Sequence, residues 1–297
     1  MPRIVLSGHG YSLAVNPDYG ANLTGLSWRH PAGADIEILR GCSDEALQPG
    51  LPSPVGCFPL APFANRIDGG VFEHAGRRHI LPMNRPEENV AIHGLSRFEP
   101  FEVVSQGEGS IALLHRHRGE VFAYDLLQEV AIERDGVVIR LEATNRGAAM
   151  PFGIGLHPFF RQEAGARLRL TAAVRSQSDK RYLPLRFVAA RTEPDFTEGS
   201  DLERLGGFDA HYACWKPRIA ILERPWADVA VAVSARGTFT NLHLFVGPDC
   251  DFVCIEPVSH VPDVHNRRKL EQFGDLAVLE TGAVTAGEMR IAVSALA

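Results

Sequence analysis

Long apolar runs are missing from this chain of 297 residues, and so is an excess of positive charge. No run approaches the roughly 18 apolar residues that a membrane-spanning helix needs. The first ten residues lack the apolar core of a secretory signal peptide. The 30 Lys and Arg are outnumbered by 36 Asp and Glu, so no basic surface for nucleic acid is expected. We therefore expect a cytoplasmic protein with neither a membrane nor a nucleic-acid partner.

Cysteine is also scarce, since the five thiols stand at positions 42, 57, 214, 250 and 254. An odd number of widely separated cysteines does not form a disulfide framework. A chain of this length can bury a large core without such cross-links. Free thiols in a reducing compartment are therefore predicted. Linker-like and repeated segments are absent as well, so we expect one continuous domain over residues 1–297.

Helical periodicity is nearly absent, and short β-type runs separated by Gly and Pro take its place. Clear strand candidates are residues 124–133, 137–144 and 229–234, with Asp135-Gly136 as a tight-hairpin signal between the first two. Residues 241–245 alternate polar and apolar side chains, as a half-buried strand does. One short helix is predicted at 200–205, capped by Ser200. The pattern favours an all-β fold, a large antiparallel sandwich or barrel.

Four polar segments interrupt this strand pattern. Asn65 and Arg66 lie in a proline-bounded segment, and His93 stands beside a glycine. An arginine fork suits hydroxyl or carboxylate oxygens of a ligand. Each of these two segments, taken alone, is more typical of a surface turn than of a binding site.

The other two segments hold a histidine and a carboxylate in rigid surroundings. Pro158 restricts His157 to extended geometry, and Phe159 or Phe160 is a candidate wall for a sugar ring. Glu256 stands where an apolar run meets a proline-containing segment, which predicts the end of a strand at the mouth of a loop. An imidazole and a carboxylate on separate rigid elements can act as an acid and a base.

In their order along the chain, these segments resemble the aldose 1-epimerase family, the galactose mutarotases. The resemblance runs from about residue 20 to about residue 292. It is carried by Asn-Arg-Ile and Gly-Gly-Val-Phe within residues 65–72, His93-Gly94, Gly-x-x-x-His-Pro-Phe-Phe at 153–160, the Asp-containing segment 208–212, and Glu256 ahead of Pro-Asp-x-x-Asn at 262–266.

The resemblance implies a supersandwich of antiparallel strands and interconversion of α and β anomers of a free aldose, without a cofactor or metal. Glu256 is then expected to be the general base at the C1 hydroxyl and His157 the acid at the ring oxygen. A neighbouring carboxylate should raise the pKa of His157 if it is to donate a proton. Arg66, His93, Asp209 and Asn65 are expected to bind and orient substrate hydroxyls. The partner is a small-molecule sugar, and the protein is expected to be a monomer or a homodimer.

Several alternatives remain open at the sequence level. Pro257 directly after Glu256 is closer to relatives that act on other sugars and on sugar 6-phosphates. Such a substrate needs a cationic pocket, for which the candidates are Arg66, Arg77, Arg78, Arg97, Arg161 and Arg267. A non-catalytic carbohydrate-binding protein and a glycoside hydrolase using Glu256 and Asp209 are further possibilities. A zinc site at His115 and His117 is a weaker one, because no third ligand stands nearby.

Overall fold

A computed structural model describes residues 3–42, 56–249 and 251–296. Nearly all regular structure in these ranges is β, and the helical segments described there are three short 3-10 helices, Pro86–Glu88, Pro225–Ala227 and Arg268–Phe273. The strands described are β1 (Ile4–Gly8), β2 (Tyr11–Asn16), β3 (Asn22–Arg29), β4 (Asp35–Leu39), β5 (Cys57–Leu60), β6 (Arg66–Asp68), β7 (Val71–His74), β8 (Arg77–Ile80), β9 (Val90–Ile92), β10 (Glu102–Gln106), β11 (Ser110–Arg118), β12 (Ala123–Glu133), β13 (Gly136–Asn145), β14 (Met150–Phe152), β15 (Gly155–Arg161), β16 (Arg167–Ser178), β17 (Pro184–Ala189), β18 (Ser200–Asp201), β19 (Asp209–Arg224), β20 (Val229–Gly237), β21 (Asn241–Val246), β22 (Phe252–Val258), β23 (Ala277–Leu279) and β24 (Val284–Ala295).

Antiparallel pairing joins 18 of these strands into one large sheet. One run follows the order β10-β11-β12-β13-β24-β20-β19. The long β19 then pairs through its first residues with β21, and the sheet continues through β22, β15, β5, β3 and β2 to β1. Three small two-stranded sheets, β6 with β9, β7 with β8 and β14 with β23, complete the described part.

The core forms because buried and exposed side chains alternate along the strands. In β12, Tyr124, Leu126 and Val130 point inward while their neighbours are partly exposed. The period of two places one apolar face of each strand against the opposite layer. The predicted all-β antiparallel sandwich is thus confirmed, as are the strands predicted at 124–133, 137–144 and 229–234 and the turn that joins β12 to β13.

The helix predicted at 200–205 does not form. Ser200 and Asp201 instead make β18, which pairs with Leu168 and Arg167 of β16. The Ser200 hydroxyl donates a 2.6 Å hydrogen bond to the carbonyl of Asp195 rather than capping a helix. A helix of six residues is marginal in water, so pairing with an available strand is the more stable arrangement.

The described residues also show the state of the thiols and the length of the helices. Cys57, Cys214 and Cys254 carry free thiols, whereas the prediction for Cys250 falls outside the described residues. Among the helices described, none has the length and apolar character required to cross a membrane.

Candidate active site

Four neighbouring strands place a row of side chains side by side on one face of the sheet. Phe58 of β5 lies opposite His157 of β15, and Glu256 of β22 lies opposite His243 of β21. β15 and β22 are themselves paired, with Gly155 opposite Val258 and Phe159 opposite Cys254. That register brings His157 and Glu256 face to face in the middle of the row. Directly opposed residues in adjacent strands are close neighbours on one face, so the row is a consequence of strand register.

Prolines flank the two central residues of this row. Pro158 follows His157 and Pro257 follows Glu256, and neither has a backbone N–H for the ladder. In the described strands β15 and β22, pairing is recorded at Gly155 and again from Phe159 onward. Both strands nevertheless continue past the site, since β22 runs to Val258. The strand that carries Glu256 therefore ends at Val258, slightly later than the sequence indicated.

The His157 imidazole and the Glu256 carboxyl form a direct contact. Nε2 of His157 lies 3.3 Å from Oε1 of Glu256, and the two residues are 6% and 1% exposed. Among the described residues, neither Oε2 of Glu256 nor Nδ1 of His157 has a hydrogen-bond partner. A buried polar atom left unpaired is costly, so both atoms are candidates for contact with a ligand.

Burial sets the protonation states of this pair. It raises the pKa of Glu256 to about 8, against the opposing effect of the His243 charge. Burial likewise lowers the pKa of His157 well below its usual range, helped by the Arg97 charge. A proton shared by the pair therefore resides mainly on Glu256 near neutral pH. The expectation that the carboxylate raises the pKa of His157 was wrong, because desolvation dominates here.

A second His–carboxyl pair lies beside the first. Oδ1 of Asp209, at the start of β19, is 3.3 Å from Nε2 of His243. Burial alone would lower the pKa of His243, but Asp209 and Glu256 raise it above its ordinary value. Nδ2 of Asn65 is 3.2 Å from the same His243 nitrogen, and Nη1 of Arg66 is 3.8 Å from Oδ2 of Asp209. The site therefore contains two adjacent His–carboxyl pairs.

Arg66 is held firmly by its neighbours. Its Nε donates to Oε2 of Glu88 at 2.9 Å, and its guanidinium lies over the Tyr182 ring, 4.8 Å from the centroid. Its carbonyl accepts a 2.9 Å hydrogen bond from the N–H of Asp263. Asp263, in the segment after Glu256, thus positions the arginine rather than lying in a solvated loop.

Asn65 owes its place to the same segment. The N–H of Ala64 donates a 3.0 Å hydrogen bond to Nε2 of His260, whose Nδ1–H donates to the carbonyl of Val261 at 2.8 Å. Asn65 itself has a φ of 57°, and its side-chain oxygen accepts the N–H of Arg66 at 2.8 Å. Asparagine tolerates this left-handed conformation better than most residues do.

His93 reaches the site from a tight turn. Its φ is 64° and that of Gly94 is 78°. A Cβ on Gly94 would lie 2.0 Å from the carbonyl oxygen of Ala61, so only glycine fits there. The His93 ring meets the His157 ring edge to face, with centroids 4.8 Å apart. Burial keeps the pKa of His93 well below its usual value.

All six residues singled out from the sequence border one cavity of about 310 Å³, a size within the usual range for small-molecule pockets. Phe159 also borders it, stacked on His157 at 4.6 Å, whereas Phe160 is fully buried in the core. Sequence reasoning missed several further lining residues: Phe58, Arg85, Glu88, Tyr182 as a wall, His243, Phe245 and Phe252.

His243 is the most important omission. Its strand was predicted from the alternation at 241–245, and that alternation alone puts His243 on one face with Asn241 and Phe245. Its place next to Glu256 depends on the register between β21 and β22. Sequence pattern does not supply that register.

One group of possible metal ligands occurs among the described residues, and two of its three members, His157 and Glu256, border this cavity. Donor atoms of His157, Cys254 and Glu256 lie within 4.8 Å of one another. Burial raises the pKa of the Cys254 thiol well above its usual value, so the thiol keeps its proton. A protonated thiol is a poor ligand, because metals bind the thiolate. His115, one of the two residues considered for zinc, is instead stacked on Phe101.

Comparison with known proteins agrees with this architecture. The chain is 32% identical over 274 residues to the uncharacterized protein YphB of Escherichia coli K12, covering 88% of this chain and 93% of that one. A crystal structure of a candidate aldose 1-epimerase from Escherichia coli K12 superposes with a TM-score of 0.88 at 28% identity, covering 99% of both chains.

More distant structures share the fold. A galactose mutarotase-like protein from Clostridium acetobutylicum superposes with a TM-score of 0.85 at 18% identity, over 99% of this chain and 95% of that one. The sequence profile of the aldose 1-epimerase family matches residues 2–292, nearly the whole chain. This chain therefore belongs to the aldose 1-epimerase family.

Proposed function

We propose that the protein is an aldose 1-epimerase that interconverts the α and β anomers of an aldose by acid–base ring opening and closure. The observation that carries this proposal is the buried contact between His157 and Glu256, 3.3 Å apart at the cavity wall. Because both side chains already border the cavity, they can exchange protons with a bound ligand without a rearrangement of β15 or β22.

The geometry of the pair matches the reacting atoms of a pyranose. The hydroxyl oxygen O1 and the ring oxygen O5 are both bonded to C1, so groups that serve them must be neighbours. Glu256 facing O1 and His157 facing O5 meet that requirement. Effective general acid–base catalysis needs each group within hydrogen-bond reach of its proton.

The pair needs one proton in total. In the reactive arrangement Glu256 is ionised and His157 carries the proton. Glu256 takes the proton of the C1 hydroxyl while His157 protonates O5, the C1–O5 bond breaks and C1 becomes an aldehyde carbon. Rotation about C1–C2 presents the other face of the aldehyde. Closure then follows with the roles reversed, and the pair regains its starting state.

The opposed pKa shifts suit these tasks. A carboxylate whose pKa is raised to about 8 is a stronger base than an ordinary glutamate. An imidazolium whose pKa is lowered is a stronger acid than an ordinary histidine. The reactive arrangement is the less populated one, since the proton of the pair resides mainly on Glu256. Catalytic groups are commonly tuned in this way by burial.

The remaining polar groups of the cavity fit the hydroxyls of a sugar. Arg66, His93, Asp209 and Asn65 offer donors and acceptors around the pair, and His243 lies between Asp209 and Asn65. The Phe159 ring provides an apolar surface for a sugar face. We assign these residues to binding and orientation.

The test is anomer exchange measured by NMR at C1 over glucose, galactose, arabinose and xylose. We expect exchange above the uncatalysed rate for at least one sugar, and loss of about 10²-fold or more in Glu256→Ala and in His157→Ala. Glu142→Ala is the matched control, because Glu142 lies on the exposed face of β13, paired with Arg140.

Three results would contradict the proposal. Sugar binding by the unchanged protein without any accelerated exchange would indicate a carbohydrate-binding protein. Release of sugar from an aryl glycoside would indicate a hydrolase. Near-normal exchange in a correctly folded Glu256→Ala or His157→Ala variant would show that these two residues are not the catalytic acid and base.

A further inference from the structure

A fully buried histidine lies behind the cavity, and the catalytic pair does not use it. His211 stands two positions after Asp209 in β19 and lies directly opposite His243 of β21. The residue is 1% exposed and is not part of the cavity lining. Among the described residues, neither Nδ1 nor Nε2 of its ring has a hydrogen-bond partner. Two buried nitrogens without partners are costly, which indicates that the ring serves a polar neighbour.

His243 is that neighbour. Because side chains alternate along a strand, Asp209 and His211 lie on the same face of β19, against His243. The ring centroids of His211 and His243 are 5.8 Å apart. Nδ1 of His243 also has no hydrogen-bond partner in the part of the chain that the structure describes. One buried water between the two rings would give each of them the partner that it needs.

The other nitrogen of His243 has two neighbours with opposite demands. Its Nε2 lies 3.3 Å from Oδ1 of Asp209, which accepts hydrogen bonds when ionised, and 3.2 Å from Nδ2 of Asn65, which donates them. A charged His243 can donate to Asp209, and a neutral His243 with a bare Nε2 can accept from Asn65. In each of these two states Nδ1 carries a hydrogen, so it needs an acceptor on the side of His211.

Burial makes His211 a suitable acceptor. It lowers the pKa of this imidazole well below its usual value, and the charges of His243 and His260 add to the effect. A neutral imidazole has one bare nitrogen that accepts a hydrogen bond. The position of the ring is also fixed. The backbone N–H of His211 donates to Oγ of Ser176 at 2.9 Å, and its ring meets the Phe187 ring edge to face with centroids 6.2 Å apart.

The charge of His243 matters to the catalytic carboxyl. His243 lies directly opposite Glu256 in the pairing of β21 with β22. Burial raises the pKa of Glu256 to about 8, and the His243 charge opposes that rise. A cationic His243 therefore increases the ionised fraction of Glu256, the form that removes the proton of the C1 hydroxyl. Within the described ranges, the titratable or charged groups around His243 are Asp209 and His211 of β19, Glu256 of β22, Arg66 of β6, His157 of β15 and His93.

We propose that His211 is a positioning residue of the active site, which holds Nδ1–H of His243 through one buried water and so keeps the His243 ring against Asp209. In this arrangement the imidazolium lies beside Glu256 when a sugar binds. His211 itself touches neither the sugar nor the reacting atoms. Its effect on the rate rests on the proposed function, whereas its effect on His243 does not.

The first experiment follows the histidines by NMR in protein labelled with ¹³C at the Cε1 atoms of histidine. Peaks are assigned by their loss in His211→Gln and in His243→Gln. In the unchanged protein, His211 should keep the shift of a neutral imidazole from about pH 5 to about pH 9, whereas His243 should titrate. In His211→Phe, which removes both nitrogens and keeps a ring, the titration of His243 should move to lower pH by about 0.5 or more.

The second experiment measures kcat/KM for anomer exchange with the fastest-exchanging sugar among glucose, galactose, arabinose and xylose. At neutral pH we expect a loss of about 10-fold in His211→Phe, the effect of one hydrogen bond to a charged group. His211→Gln should recover most of the activity, because its amide can also accept the bridging hydrogen bond. His115→Phe is the matched control, since His115 is a buried histidine stacked on Phe101 outside the cavity.

The outcomes separate the two proposals. If His211 becomes charged near the ordinary pKa of histidine in the unchanged protein, it cannot accept from His243 and this inference is overturned. An unchanged titration of His243 in folded His211→Phe, or kcat/KM within about twofold of the unchanged protein, also overturns it. Should His211→Phe not fold, both measurements are made on His211→Met. Absence of exchange for every sugar removes the proposed function, while the two titrations still decide the role of His211.

Discussion

The raised pKa of Glu256 predicts that the active site lowers the stability of the fold at alkaline pH. In the folded protein this pKa is raised from 4.5 to about 8. Between these values the folded state binds a proton that the unfolded state has already released. The free energy of unfolding must therefore fall as the pH rises through this window.

The size of the effect follows from linkage. A single group contributes at most about 1.4 kcal/mol per pH unit between the two pKa values. Local relaxation and water entry reduce this figure. We expect Glu256→Gln, which replaces the carboxyl by a neutral group of the same shape, to be about 1–3 kcal/mol more stable than the unchanged protein at pH 8.5. At pH 5 the two proteins should be nearly equal.

Urea denaturation at several pH values between 5 and 9 measures this difference. Glu142→Gln is the control, since a partly exposed glutamate on the solvent side of β13 should change stability by less than about 0.5 kcal/mol at any of these pH values. An advantage of Glu256→Gln that does not grow between pH 5 and pH 8.5 would refute the reasoning about burial.

Two further predictions concern the catalytic pair and the turn beside it. Because ring opening needs one proton on the pair, kcat/KM for anomer exchange should fall above about pH 8, where Glu256 and His157 together lose it. A rate that keeps rising to pH 9.5, after subtraction of the uncatalysed reaction, would contradict this. Gly94→Ala should destabilise the fold by about 3 kcal/mol or more, because its Cβ would lie 2.0 Å from the Ala61 carbonyl oxygen. Gly69→Ala is the matched variant, since Gly69 has a φ of 62° and no atom would lie within 4 Å of the new Cβ. Its cost, measured like that of Gly94→Ala by thermal denaturation, should be about 1 kcal/mol. Equal losses in both glycine variants would show that close packing at Gly94 is unimportant.

Local patterns in the sequence were sufficient for much of the fold. Short β-type runs between Gly and Pro predicted strands such as β12 and β20, period-two alternation predicted β21, and Asp135-Gly136 predicted the turn between β12 and β13. Such strands and turns are determined largely by residues that are adjacent in the chain, so the local sequence is enough to predict them. The helix expected at Ser200 failed because pairing with β16, more than 30 residues away in the chain, outweighs a weak local preference.

Only part of the site could be predicted from the sequence. The six residues chosen from motifs all border the cavity, and their roles stay predictions. His243 was missed because its contact with the site depends on the register of β21 against β22. The protonation of His157 was misjudged for a related reason. A nearby carboxylate is visible as a motif, but desolvation of the imidazole depends on the whole surrounding fold.

The most direct test of the central claim compares anomer exchange in Glu256→Gln, in His157→Asn and in the double variant, with folding checked by circular dichroism. Groups that act as one unit lose their contribution together, so the double variant should be about as slow as the slower single variant. Each single variant should lose about 10²-fold or more. Losses that multiply in the double variant, or a single variant that exchanges anomers at nearly the rate of the unchanged protein, would contradict the claim that one proton is shared between these two side chains.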